Sequence, residues 1–149
     1  MVDLARQSFT APNVVTPASL HLVSGRVQAP NSVEGTDPVS VWLAPDRVLV
    51  VGWAQPAVVA GGFASDITDA QVVFRLTGPH CNDVLAMGTS LDPALLAPGR
   101  CAQTLFAGVR GLLYRHGDAV CLHVDRPLAR FVADWLAQAA TAFEGATSP

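Results

Sequence analysis

The sequence contains no lysine, and only 14% of its 149 residues are charged, against about 25% in an average protein. All 9 cationic side chains are arginines, and the formal net charge is -3. Nucleic-acid binding depends on neutralising phosphates with a basic surface, so this balance argues against a nucleic-acid partner. Half of the residues are apolar, which predicts more apolar surface than an isolated domain normally carries.

Cysteine is also scarce. The 3 cysteines, Cys81, Cys101 and Cys121, are evenly spaced, and no C-x-x-C pair occurs. This number and spacing match neither a disulfide framework nor a zinc signature. We therefore expect reduced thiols and a cytoplasmic protein.

Long hydrophobic runs are missing as well. The most apolar stretch, residues 48–64, is interrupted by Gln55, Pro56 and a glycine pair, and it is shorter than the roughly 20 residues that a membrane-spanning helix needs. Asp3 and Arg6 precede any apolar run, unlike the start of a secretory signal. We expect no membrane partner, and the length predicts one domain.

Motifs that hold phosphate or a nucleophile are absent from the sequence. Gly78 and the pair Gly61-Gly62 match neither the dinucleotide fingerprint nor the P-loop, and no G-x-S-x-G elbow is present. Asp66 and Asp69 flank the start of a strand, where turn formation is the ordinary role of aspartate.

Histidine and cysteine occur near each other in two places. Cys121 and His123 share one face of a predicted strand, and His80 precedes Cys81, but neither spacing matches a metal site. We predict half-buried structural roles for these residues. No catalytic, cofactor-binding or metal-binding residue is predicted in this chain.

Apolar periodicity predicts the secondary structure from residue 47 onward. β-Rich runs predict strands at 48–51, 71–76, 101–106, 109–114 and 119–124. Thr77-Gly78-Pro79 predicts the start of a helix that Gly88 ends in a left-handed conformation. Weaker patterns indicate edge strands at 20–23 and 39–43 and a short helix at 55–64.

The last helix has the clearest pattern in the sequence, and Asp125 is placed to cap it. Its apolar positions recur with helical spacing and predict a stripe facing a sheet: Leu128, Phe131, Val132, Trp135, Leu136, Ala139 and Phe143.

The order of these elements predicts an α+β fold, a mainly antiparallel sheet with helices packed on one face. We divide the chain into an irregular N-terminal segment (1–36), a folded domain (37–145) and a frayed tail (146–149).

Two arginines are candidate contacts for a partner protein. Arg75 lies inside an apolar strand, where a guanidinium needs either an internal partner or an interface, and the sequence leaves both open. Arg100, next to Cys101, is the second candidate.

Several segments together resemble a known family. These are SVWLAPDRVLVVG (40–52), SDITDAQVVFRLTGPHCNDVLAMGTSLD (65–92), PGRCAQTLFAGVRGLLYRHGDAVCLHVDR from residue 98, and LARFVADWLAQAA from residue 128. They resemble the gamma subunit of heterotetrameric sarcosine oxidase over residues 37–143. The most specific parts are Gly78-Pro79 before a helix and the run from Pro98 to Thr104.

The resemblance implies a fold similar to part of the folate-binding aminomethyltransferase fold. It also implies a non-catalytic chain that assembles with alpha, beta and delta subunits. The complex would oxidatively demethylate sarcosine to glycine and hydrogen peroxide, with formaldehyde or methylenetetrahydrofolate as the one-carbon product. FAD, FMN, NAD and tetrahydrofolate are implied for the whole complex and none for this chain.

The chain departs from its folate-binding relatives at residues 109–113. Where those relatives carry two glycines followed by acidic residues, this chain has no carboxylate. Its N-terminal part is also shorter than is usual in the resembled family. The missing carboxylate argues against independent folate chemistry, and the shorter N-terminal part leaves another N-methyl amino acid substrate open. The alternatives to a gamma subunit are a stand-alone folate-binding aminomethyltransferase-like protein, or a small adaptor subunit of another N-methyl amino acid demethylase.

Overall fold

The computed structural model describes residues 10–15, 19–52 and 61–144. Ten strands and two α-helices are defined in these residues: β1 (Thr10–Val15), β2 (Leu20–Ser24), β3 (Val33–Glu34), β4 (Val39–Ala44), β5 (Arg47–Val51), β6 (Phe63–Asp66), β7 (Gln71–Thr77), α1 (Cys81–Gly88), β8 (Cys101–Phe106), β9 (Val109–His116), β10 (Ala119–Asp125) and α2 (Ala129–Glu144). Short 3-10 turns occur at Pro93–Leu95 and Arg126–Leu128. Neither α-helix in the described part of the chain is long and apolar enough to cross a membrane.

The strands form two five-stranded antiparallel sheets. Sheet A has the order β1-β7-β10-β9-β8, and sheet B has the order β3-β4-β5-β2-β6. The predicted α+β class is therefore confirmed, with antiparallel sheets and two helices.

Helices α1 and α2 cover one face of sheet A, as the sequence predicts. Val84 and Leu85 of α1 and Val132 and Leu136 of α2 are buried against alternate residues of the central strands. The sheet contributes Phe74, Leu76, Leu113, Val120, Leu122 and Val124 to this core.

Sheet B covers the opposite face of sheet A, and no pattern in the sequence predicts this second layer. The inter-sheet core contains Leu20, Val39, Val41, Leu49, Val73, Cys101, Leu112, Tyr114 and Cys121. The alternating sequence of β10 predicts one apolar, buried face and one polar face. In the structure both faces of β10 are buried, and His123 on the polar face is only 2% exposed.

The N-terminal prediction needs correction. The described part of residues 1–36 is not irregular, because it supplies β1 to sheet A and β2 and β3 to sheet B. Strands β2 and β4 are confirmed as strands but lie inside sheet B rather than at its edges. These strands are short and the segment contains prolines, so no sustained apolar periodicity predicts them from the sequence.

Two further predictions fall partly or wholly outside the described residues. Most of the helix expected at 55–64 lies outside them, and the described end of that range belongs to β6. The predicted tail at 146–149 also lies outside them.

Helix α1 is confirmed, but its ends differ from the prediction. It begins at Cys81 rather than at Pro79, and Gly88 remains helical instead of adopting a left-handed conformation. A Cβ atom on Gly88 would lie 2.6 Å from the ring of Phe106 and 3.0 Å from Trp135. Glycine is therefore required here by the close approach of two aromatic rings.

Helix α2 buries a narrower stripe than the sequence predicts. Val132, Leu136 and Ala139 are buried, whereas Leu128 and Phe131 are 37% and 51% exposed. Asp125 precedes the Arg126–Leu128 turn as expected, but its side chain makes no capping hydrogen bond within the described chain. The stripe is narrower because α2 contacts sheet A along its Val132–Leu136–Ala140 line, which leaves Phe131 to one side.

Candidate functional site

The inter-sheet face of sheet A carries a buried polar network. The Tyr114 hydroxyl lies 2.8 Å from Nε2 of His123, and Nδ1 of His123 lies 3.3 Å from Oε1 of Gln71. Because the amide oxygen of Gln71 can only accept, Nδ1 of His123 carries the proton. Nε2 of His123 therefore accepts from the Tyr114 hydroxyl.

Burial keeps this network neutral. Desolvation lowers the pKa of His123 to about 3, so the imidazole is uncharged at neutral pH. Burial, together with the neighbouring Cys121 thiol, raises the pKa of Tyr114 above its usual range. Both ring nitrogens of His123 are hydrogen-bonded, so the neutral pair stabilises the sheet and leaves no free imidazole nitrogen to act as a base.

The three cysteines are free and buried. The Cys101 thiol donates to the carbonyl oxygens of Ser32 and Trp42 at 3.6 Å and 3.5 Å, and burial raises its pKa to about 11. Burial also raises the pKa of Cys81 and of Cys121. Since the thiolate is the nucleophile, these buried, protonated thiols are poor nucleophiles.

A pocket of about 250 Å³ opens at one end of the inter-sheet layer. Its mouth combines the polar side chains of Gln71, Gln103, Arg110 and Asp125, and His123 lies within it. The walls are apolar: Leu22, Leu43, Leu49, Ile67 and Leu112. This volume is below the roughly 300–1,000 Å³ of typical ligand sites.

Cys121 and His123 share one face of β10, as predicted, and that face is turned toward sheet B. His80 lies at the start of α1, in another part of the structure. The His80 ring stacks on Phe143 with centroids 4.6 Å apart, and its Nδ1 lies 2.9 Å from the Asp83 carboxylate. No group of three or more potential metal ligands occurs within residues 10–15, 19–52 and 61–144.

Asp66 and Asp69 belong to a turn, as the sequence predicts. The Asp66 carboxylate accepts hydrogen bonds from the backbone N–H and the hydroxyl of Thr68, at 3.0 Å and 2.6 Å. These bonds lower the pKa of Asp66. The Asp69 carbonyl oxygen accepts from the Arg126 guanidinium, so the turn is tied to the start of α2.

Arg75 has an internal partner. Its guanidinium lies 3.0 Å from the carboxylate of Asp118 in the β9–β10 hairpin, with side chains 44% and 86% exposed. Such an exposed pair contributes little to stability. Structural pairing is therefore confirmed for Arg75, while contact with a partner protein stays a prediction.

Arg100 is exposed and forms no ion pair with any carboxylate of the described residues. It precedes β8, and its backbone bridges Ser32. Strands β10 and β9 lie between β7, which carries Arg75, and β8, so the fold does not bring the two candidate arginines together.

Sequence reasoning misses Arg115, which holds the loop after α1 in place. Its guanidinium donates to the carbonyl oxygens of Leu96 and Pro93 and to the side chain of Asn82 at 2.8 Å. Its position in an apolar strand, like that of Arg75, is the signal that could have identified it.

Large apolar side chains are exposed on several elements of the structure. They are Val27 (83%), Leu95 (70%), Leu105 (63%), Phe63 (59%), Met87 (53%), Phe131 (51%) and Leu128 (37%). The low charge of the sequence predicts such surface, and these residues give its location.

Comparison with solved structures finds a counterpart for this arrangement. A chain of the heterotetrameric sarcosine oxidase from Corynebacterium sp. U-96, determined in complex with pyrrole 2-carboxylate, superimposes with a TM-score of 0.77. The match covers 93% of this chain and 87% of that chain, at 20% sequence identity. This protein has the fold of a sarcosine oxidase chain.

The match confirms the predicted resemblance to sarcosine oxidase at the level of the fold. The likeness to the aminomethyltransferase fold stays a prediction. No protein-family model and no curated protein sequence matches the chain. The relationship is therefore one of structure, since backbone architecture agrees over most of both chains while four residues in five differ.

Proposed function

We propose that this chain is the non-catalytic gamma-type subunit of a sarcosine oxidase complex. The observation that carries the proposal is the fold shared with a chain of a heterotetrameric sarcosine oxidase over nearly the whole of both chains. The segments at 40–52 and 65–92, which resemble the gamma subunit, lie in well-defined elements of that fold. In this proposal the partners are the alpha, beta and delta chains.

The surface of the protein supports a role in an assembly. Leu95 and Leu105 are each more than half exposed, and the Arg100 guanidinium has no carboxylate partner among the described residues. Apolar and arginine side chains are the groups that protein interfaces enrich and bury. A subunit whose exposed leucines are covered by larger chains would account for both features.

The chemistry of the buried groups supports a non-catalytic role. His123 and Tyr114 satisfy each other in neutral form, and burial raises the pKa of all three thiols. Oxidation of an amine needs a redox cofactor, so FAD, FMN and NAD would belong to the larger chains of the complex.

The folate-binding alternative needs a ligand-sized pocket with a convergent carboxylate. Asp125 supplies a carboxylate at the mouth of the inter-sheet pocket, but a pocket of about 250 Å³ is too small for a whole folate. The residues that line this pocket do not accommodate a whole tetrahydrofolate, and we propose no step of folate chemistry for this chain.

Co-purification tests the proposal. The affinity-tagged chain is co-expressed with the alpha, beta and delta chains of sarcosine oxidase from the same source, and the retained chains are identified by mass spectrometry. We expect all three in equal molar amounts. Retention of an unrelated oxidoreductase would support the adaptor alternative instead.

A further inference from the structure

The rim of the inter-sheet pocket carries one cation and one anion on neighbouring strands. His123 of β10 pairs with Leu112 of β9, so Asp125 and Arg110 lie opposite each other two residues further along these strands. Because side chains alternate between the two faces of a sheet, both point to the same side as His123, toward sheet B. Asp125 and Arg110 therefore stand side by side where the pocket opens.

These two charged side chains have no partner within residues 10–15, 19–52 and 61–144. Both are exposed, and neither forms an ion pair or a side-chain hydrogen bond there. Opposite positions on antiparallel strands have Cβ atoms about 4.5–5.5 Å apart, which is close enough for a direct ion pair. Arg110 and Asp125 do not form one, so the guanidinium and the carboxylate are both open to a ligand.

The space behind this rim is apolar and fits a single side chain. Leu22 and Leu49 line it from sheet B, and Leu112 lines it from sheet A. The amide nitrogen of Gln103 donates to the carbonyl oxygen of Leu43 at 2.8 Å and joins the two sheets at one side of the pocket. An apolar cavity of about 150 Å³ holds a benzene molecule. A pocket of about 250 Å³ therefore has room for one branched or aromatic side chain.

The arrangement selects a ligand with three groups close together. A carboxylate pairs with the guanidinium of Arg110, an ammonium group pairs with the carboxylate of Asp125, and an apolar group fills the space behind them. A free α-amino acid carries these three groups on one carbon atom.

A side chain of a partner protein matches this pocket less well. Its α-amino and α-carboxyl groups are consumed in peptide bonds, so it can fill only the apolar part. A partner chain seated there would also cover Arg110 and Asp125 without pairing them, and burying an unpaired charge is costly. The two charges of the rim therefore favour a free amino acid.

We propose that the inter-sheet pocket binds a free α-amino acid with an apolar side chain, of the size of leucine or phenylalanine. Arg110 holds the carboxylate, Asp125 holds the ammonium group, and the side chain packs against Leu49 and Leu112. This site goes beyond the proposed function, which gives this chain no ligand. Sarcosine carries both charges but no apolar side chain, so the ligand also differs from the substrate of the proposed complex.

Calorimetric titration of the purified full chain tests the site. The probes are L-leucine, L-phenylalanine, sarcosine, N-acetyl-L-leucine, which lacks the ammonium group, and L-leucinamide, which lacks the carboxylate. We expect leucine or phenylalanine to bind with a millimolar or lower Kd. The two blocked leucines should each bind roughly tenfold more weakly than leucine, and sarcosine should show no binding.

Two variants assign each charge of the ligand to its residue. Arg110→Gln should weaken leucine roughly tenfold and leave the affinity for leucinamide as in wild type, because leucinamide never makes that contact. Asp125→Asn should weaken leucine by a similar factor and leave N-acetyl-leucine unchanged. Arg100→Gln, which changes an exposed, unpaired arginine outside this pocket, is the matched control and should bind leucine as wild type does. General loss of folding would not give this crossed pattern.

Three outcomes would overturn the inference. One is that neither leucine nor phenylalanine binds, and protection of the Leu112 amide only after assembly with the larger chains would then assign the pocket to a partner side chain. Another is that sarcosine binds as tightly as leucine. The third is that Arg100→Gln weakens leucine as much as Arg110→Gln does. Because the free chain is titrated, each result is independent of co-purification with the alpha, beta and delta chains.

Discussion

Tyr114 and His123 are diagonal neighbours on the central strands β9 and β10, and the hydroxyl of Tyr114 donates a hydrogen bond of 2.8 Å to Nε2 of His123. Both side chains lie between the two sheets and are almost fully buried. A buried acceptor that loses its donor keeps its desolvation cost, so this pair links the polar network directly to stability.

The stability losses of the two single variants should therefore add up to more than the loss when both partners are removed together. Tyr114→Phe leaves Nε2 of His123 without a donor and is expected to cost about 1–3 kcal/mol. The double variant Tyr114→Phe/His123→Leu should lose less than the sum of the single variants. Urea unfolding of the three variants gives the coupling, and additive losses would show that the hydrogen bond is not formed.

Stability should fall with acid in a window set by His123. Its pKa is about 3 in the folded chain and near 6.5 when unfolded, so the unfolded state binds more protons between these values. The contribution of the neutral His123 to the free energy of unfolding is fully present above pH 6.5. It declines by at most about 1.4 kcal/mol per pH unit as the pH falls from there.

Urea unfolding between pH 4 and pH 8 measures this slope. His123→Gln is expected to flatten it, whereas Gln138→Ala, which changes an exposed, uncharged residue of α2, should leave it unchanged. An identical slope in wild type and His123→Gln would mean that other groups govern acid stability.

Gly88→Ala is expected to destabilise the protein although alanine favours helices. The added Cβ would meet the Phe106 ring at 2.6 Å, and such overpacking typically costs about 1–3 kcal/mol. Thermal unfolding should show a clear loss. As a control, Ala86→Gly on the exposed face of α1 should lose only the propensity difference, about 1 kcal/mol. Stabilisation by Gly88→Ala would place α1 further from Phe106.

Helix α2 provides a test of its orientation. Trp135 packs edge-on against Phe106 with ring centroids 5.1 Å apart, and Trp135→Ala should cost about 3 kcal/mol. Arg130 and Asp134 form a pair of 3.4 Å with side chains 90% and 71% exposed, so Arg130→Ala should cost a few tenths of a kcal/mol. Equal melting temperatures for the two variants would contradict this orientation.

Local patterns predict the elements that carry a strong period. Strand β10 is predicted from the alternation of Val120, Leu122 and Val124, and helix α2 from the helical spacing of Val132 and Leu136. Strands β7 to β9 and helix α1 also follow from their local sequence patterns. Sheet B does not follow, because β2 acquires its stability by pairing with β5 and β6, which are distant in sequence, and β3 is only 2 residues long. Non-local pairing leaves no periodic signal.

The candidate site was likewise predictable from the sequence only in part. The sequence places Cys121 and His123 on one face of a strand, and the structure confirms this. It cannot show that sheet B buries that face, and it therefore assigns half-burial to a histidine that is 2% exposed.

Sarcosine-dependent production of hydrogen peroxide is the measurement that tests the central claim most directly. It is assayed for the purified chain alone, for alpha, beta and delta co-expressed without it, and for all four chains together. The account predicts no activity from the chain alone and full activity only with all four chains, in an equimolar complex. Turnover by the isolated chain, or an alpha–beta–delta complex whose assembly and activity do not change when the chain is added, would contradict it.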